Sequence, residues 1–139
     1  MKTHENVADL AGRILISTMF LTSGLSKISG YAGNQGFMES AGVPGALLPL
    51  VIALEVLGAI AVIAGYHTRV AAGALAVFTL AAGVLFHSGA DQMQQLLFMK
   101  NVAITGGFLF LVARGAGDWS LDARGHRLTS PREPLASHG

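Results

Sequence analysis

Cysteine is absent from the 139-residue chain. That excludes disulfides, thiol redox chemistry, thiolate zinc sites and iron–sulfur clusters. Charge is also scarce: Asp, Glu, Lys and Arg make up 12% of the residues, against roughly 25% in a soluble domain. So little charge leaves too little polar surface to cover a globule in water and points to lipid as the surrounding solvent. The net charge of +1 and the lack of a basic stripe with interleaved aromatics exclude a nucleic-acid partner. No Gly-rich loop sits between a strand and a helix, so nucleotide binding has no support.

Apolar sequence is plentiful. The hydrophobic fraction is 52% and the mean hydropathy is +0.55. A membrane-spanning helix needs about 20 mostly apolar residues, and four runs meet that length, at residues 7–27, 45–66, 69–87 and 94–113. The Gly-rich segment 28–44 reads as a connection ending at Pro44, a helix-start residue. GYHTR, residues 65–69, reads as a tight turn between antiparallel neighbours. These signals predict an all-α, polytopic, antiparallel four-helix membrane bundle over residues 1–122, followed at 123–139 by a polar Gly- and Pro-containing tail without fixed structure. Arg13 interrupts the first run, which argues against a cleaved signal peptide.

Counting Lys and Arg sets the expected orientation. With both termini cytoplasmic, the inner side receives Lys2, Arg13, Arg69, Arg114, Arg124, Arg127 and Arg132, and the outer side only Lys27 and Lys100. The positive-inside rule favours that arrangement.

Within the spans the informative residues are the polar ones. Glu55 stands in the middle of VIALEVLGAI, about 15 Å into its run at 1.5 Å per residue. An ionised acid at that depth must be paired, hydrated or protonated, and is by default a ligand or proton site. The plainer reading is a structural pair. Lys100 and Asn101 lie about six residues into the fourth run at a similar depth, with Thr105 on the face of Asn101. Glu55 and Lys100 are therefore expected to pair or to face one polar cavity, the alternative being that Lys100 snorkels to the headgroups. In the first run Arg13, Ser17, Phe20, Gly24 and Lys27 fall on one stripe, and Asp9 is placed to neutralise Arg13. Arg13 and Lys27 are either interfacial anchors or inward-facing cations. Ala72, Ala76, Thr79 and Gly83 in the third run read as packing.

Cofactor signatures are sparse. His67 and His87 are separated by about 30 Å of helix and cannot share a haem. No run carries the paired carboxylates and Glu-x-x-His of a di-metal bundle, and His87 with Asp91 is too small a set for a metal site.

The ordered set GRILISTMFLTSGLSK, AGVPGALLPL, EVLGAIAVIAGYHTR, FMKNVAITGGFLFL and GAGDWSLD resembles the DoxX family of small four-helix bacterial membrane proteins, over residues from about 9 to 122. The family's Arg and Lys of the first helix, Glu of the second and Lys-Asn of the fourth fall on Arg13, Lys27, Glu55, Lys100 and Asn101. The resemblance implies an inner-membrane protein associated with oxidoreductases, named after a small subunit of a thiosulfate:quinone oxidoreductase. With neither thiol nor haem ligands, a redox role would need a bound quinone or a partner subunit. The expected function is an auxiliary subunit of a quinone-linked complex, with an intramembrane pocket formed by Glu55, Lys100, Asn101, Lys27, Arg13 and Thr105. A structural or interaction protein without chemistry, a small-molecule or proton transporter, and a homodimer remain open alternatives.

Overall fold

The computed structural model describes residues 3–129. In chain order the elements are α1 (Thr3–Ser29), α2 (Tyr31–Ser40), a 3-10 turn (Gly45–Leu47), α3 (Leu48–Ala64), α4 (Thr68–Phe86), α5 (Gln92–Arg114) and α6 (Leu121–Thr129), and among the described residues there is no strand. Three helical stretches, Gly45–Ala64, Thr68–Phe86 and Gln92–Arg114, are long and apolar enough to cross a membrane. α1 is longer still, at 27 residues, but more polar.

Local chemistry explains the boundaries. Pro49 occupies the first turn of α3, where its missing amide costs nothing, and Gly65 ends the helix in the left-handed conformation (φ 72°). The Asp91 side chain accepts from the Gln94 amide and caps the start of α5.

Two segments depart from the sequence reading. The Gly-rich connection contains α2, a ten-residue helix held by burial of Met38 and by Phe37, which stacks on Phe86 at 5.3 Å. The polar tail is helical as far as Thr129, and residues 130–139 lie outside the described residues.

The helices pack in sequence, α1 along α3, α3 against α4 and α4 along α5. Phe20 of α1 meets Phe108 of α5 edge-to-face at 5.3 Å. With Ala59, Val62, Ala72, Leu75 and Ala76 these two rings form the core. Around that core the usual distribution is reversed. Leu15, Val77 and Phe110 are 74%, 73% and 69% exposed, whereas Arg13, Ser17, Glu55, Thr79 and Asn101 are buried. Apolar side chains outside and polar ones inside suit a hydrocarbon solvent.

Candidate functional site: a buried ion pair beside a helix-lined cavity

The site begins with the close approach of α1 and α3. Gly24 makes it possible, since a Cβ there would lie 2.6 Å from Val56 Cγ2 and 3.2 Å from Glu55 Cβ. One turn further on, Lys27 Nζ donates to Glu55 Oε1 at 2.8 Å and to Ser23 Oγ at 2.6 Å. Glu55 is 1% exposed. Its second oxygen, Oε2, is buried and has no hydrogen-bond partner among the described residues.

This pair faces a cavity of about 300 Å³. Phe20, Ser23 and Lys27 of α1, Val51 and Glu55 of α3, Phe78, Thr79 and Phe86 of α4, and Lys100 and Asn101 of α5 contribute to its walls. α2 adds Asn34, Phe37 and Met38. Four of the six residues expected to form a pocket are thus brought together: Glu55, Lys27, Lys100 and Asn101. The partner of Glu55 is Lys27, while Lys100 lines the same cavity, remains exposed and has no hydrogen bond or ion pair among the described residues. The Asn101 amide donates to the Thr79 carbonyl at 3.1 Å, tying α5 to α4. Thr105 donates to the carbonyl of Asn101 within its own helix at 2.8 Å and does not line the cavity.

Arg13 also lies elsewhere, 14 residues before Lys27 and so about 21 Å along α1. Its guanidinium donates to the Val62 carbonyl at 3.3 Å, to that of Ile63 at 2.9 Å, and to that of Trp119. Val62 and Ile63 belong to the last turn of α3, where carbonyls run out of i+4 amides, and the Val62 carbonyl also accepts from the Gly65 amide at 3.1 Å. Arg13 is therefore a helix cap supplied by a neighbouring helix. The opposite charge acts on the next helix. Asp122 accepts from the amides of His67 (2.7 Å) and Thr68 (2.9 Å) at the start of α4, and its own amide donates to the Gly65 carbonyl at 2.8 Å. Burial works against ionisation of Asp122, but the Thr68 and His67 amides outweigh it and hold the carboxyl below its ordinary value. The α3–α4 turn is clamped from two sides by residues distant in sequence.

Sequence reasoning missed the contribution of α2, the Ser23 contact and the role of Asp122. The Ser23–Lys27 contact is readable as an i, i+4 pair. Nothing local marks Asp122, because its partners lie 54 and 55 residues away. His87 lines the cavity with Nδ1 at 3.2 Å from Gln94 Oε1, and Asp91 caps α5. Among the described residues no group of three or more His, Cys, Asp or Glu is placed to hold a metal.

Apolar-out packing, spans of membrane length and inward-facing charges define a helical membrane protein. The chain belongs to the DoxX family, whose model matches residues 8–88. It is 50% identical over 123 residues to the inner membrane protein YqjF of Escherichia coli (strain K12), covering 88% of this chain and 95% of that one. It is 35% identical over 123 residues to the inner membrane protein YphA of the same organism, covering 83% and 88%. It is also 30% identical over 85 residues to a Bacillus subtilis (strain 168) protein named "Putative oxidoreductase CatD", covering 61% and 63%. No solved structure gives a significant match.

Proposed function

We propose that the protein is an auxiliary subunit of a quinone-linked redox complex of the bacterial inner membrane, and that the Glu55 cavity receives a quinone headgroup. In this reading α1 is a fourth span, the four long helices form an antiparallel bundle, and both termini are cytoplasmic, as the distribution of Lys and Arg favours. The names of the two Escherichia coli relatives support the location, and that of the Bacillus subtilis protein supports the redox association.

The observation that carries the proposal is the Lys27–Glu55 pair in the wall of a cavity between the long helices, with Glu55 Oε2 left without a hydrogen-bond partner among the described residues. Buried polar atoms are rarely left without a partner, and one that is left invites explanation by a guest. The wall chemistry suits an aromatic headgroup. Phe20, Phe78 and Phe86 line it with aromatic surface, and Lys100 and Lys27 offer ammonium donors. A quinone supplies two-electron carriage within the lipid phase, which a chain without cysteine or haem ligands cannot provide itself. Glu55 would supply the acceptor, Lys27 would keep the carboxylate in place, and Asn101 would hold α5 against α4.

Extraction of the purified protein from quinone-containing membranes tests this. Wild-type protein should retain quinone, and Glu55→Gln should lose it along with quinone-linked respiratory activity. Quinone-free wild-type protein together with unchanged activity in the variant would end the proposal. The clamp at Arg13 and Asp122 favours a second reading, a structural or interaction subunit whose buried charges only fix helix register. A large stability loss in Glu55→Gln with no cellular phenotype would support it.

A further inference from the structure

We infer that the cavity opens sideways into the outer half of the bilayer, between α1 and α5. Its guest is a tailed amphiphile whose headgroup sits inside while the tail leaves through this seam. The inference rests on the quinone reading above, with α1 as the fourth span, and adds the route and the class of guest that the route admits.

α1 and α5 close on each other at the level of the core. Phe20 meets Phe108 there, and a Cβ on Gly107 would lie 2.8 Å from Ile16 Cδ1. Beyond that level the two helices are parted. Lys27 of α1, seven residues after Phe20, and Asn101 of α5, seven residues before Phe108, both line the cavity, so the space runs between the helices over about 10 Å.

Wall residues that are also exposed mark the rim. They are Met19 of α1, Phe37 of α2 and Lys100 of α5, whereas the wall residues of α3 and α4 are buried or half-buried. The mouth therefore lies between α1 and α5, with α2 at its edge. Lys100 is eight residues into α5, about 12 Å from the start of that helix, which puts the mouth within one leaflet of a hydrocarbon core about 30 Å thick. Volume then limits what can enter. About 300 Å³ is at the lower end for a small-molecule site, with room for a substituted ring but not for an isoprenoid chain as well. A tail passing out between α1 and α5 stays in lipid, and its apolar surface never meets water.

Because the chain has no cysteine, a single introduced thiol carries a fluorophore without background. Leu15→Cys places it on α1 one turn from Met19, at a position 74% exposed and outside the cavity wall. Val77→Cys places it on α4, away from the mouth, at a position 73% exposed. The full chain in nanodiscs receives a trimethyl-1,4-benzoquinone whose decyl tail bears a nitroxide quencher. Quenching that the unlabelled decyl compound competes away reports the bound tail, and it should be several times stronger at position 15 than at position 77. Met19→Trp sets an indole in the mouth. It should weaken the decyl compound about tenfold, as overpacking does, and leave the affinity for tailless tetramethyl-1,4-benzoquinone unchanged. Equal competed quenching at the two positions, or stronger quenching at 77, overturns this inference and leaves the quinone reading standing. So does equal weakening of both compounds by Met19→Trp. Binding of neither compound to the wild type removes both.

Discussion

Lys27 and Glu55 are joined at 2.8 Å across the seam where Gly24 brings α1 and α3 into contact. The two ends of the pair differ in environment, the lysine side chain being 23% exposed and the glutamate 2%. Removing one member should therefore be asymmetric. Lys27→Met leaves a buried carboxylate without its cation, and we expect a loss of about 3 kcal/mol, at the low end for breaking a buried pair because Lys27 retains some exposure. Glu55→Gln leaves a lysine able to extend toward the surface and should cost less. The double variant should be more stable than Lys27→Met alone. Thermal unfolding in detergent of the four proteins as a cycle measures the coupling, and additive effects would deny that the two residues act as a pair.

Much of this was legible from depth alone. Glu55 stood out because an acid in an apolar run needs a partner or a guest, and Lys100 and Asn101 because they share its level. The choice of partner was not legible. Lys27 lies at the end of its helix, where a lysine also reads as an interfacial anchor, and only the close approach at Gly24 brings Nζ within reach of Oε1. α2 was hidden for a related reason. Gly33 and Gly36 lower its helix propensity, and the segment is stabilised by burial of Met38 and by the stacking of Phe37 on Phe86, far along the chain.

From the sequence Arg13 reads as an interfacial anchor or an inward-facing cation, but its bonds are those of a cap. A lysine at this position supplies charge without the planar fork that reaches three carbonyls of two segments. We expect Arg13→Lys to recover only part of the stability lost in Arg13→Gln, and each lost charged hydrogen bond to cost about 1.5–3 kcal/mol. Trp119, whose carbonyl is one of the acceptors, is the only tryptophan in the chain. Its emission should shift in both variants. An unshifted spectrum with wild-type stability in Arg13→Lys would show that charge alone suffices.

Asp122 makes the same region sensitive to acid. Its folded pKa lies below the ordinary 3.8, so its contribution is fully present above about that value and is lost as the pH falls through the folded pKa. Asp122→Asn should weaken the clamp at neutral pH. The gap in stability between wild type and variant should then narrow below about pH 3.8. Acid titration followed by Trp119 emission provides the readout, and a gap that stays constant from neutral pH to the acid limit would exclude the carboxylate as the source.

Gly65 is the point where these contacts meet. Its φ of 72° is in the left-handed region, where a side chain is strained. A Cβ there would also lie 2.3 Å from Ser120 Cβ and 2.6 Å from an Arg13 guanidinium nitrogen. Gly65→Ala must therefore bear the backbone strain, about 1–2 kcal/mol, and also displace both Arg13 and the segment that carries Asp122. Gly12 provides the control, since it lies within α1 and a Cβ there meets nothing within 4 Å. Gly12→Ala should stabilise by about 0.4–1 kcal/mol through the unfolded chain. Opposite shifts in melting temperature for the two substitutions, with altered Trp119 emission only for Gly65→Ala, are the expected result. A neutral Gly65→Ala would mean that the α3–α4 turn is not clamped as described.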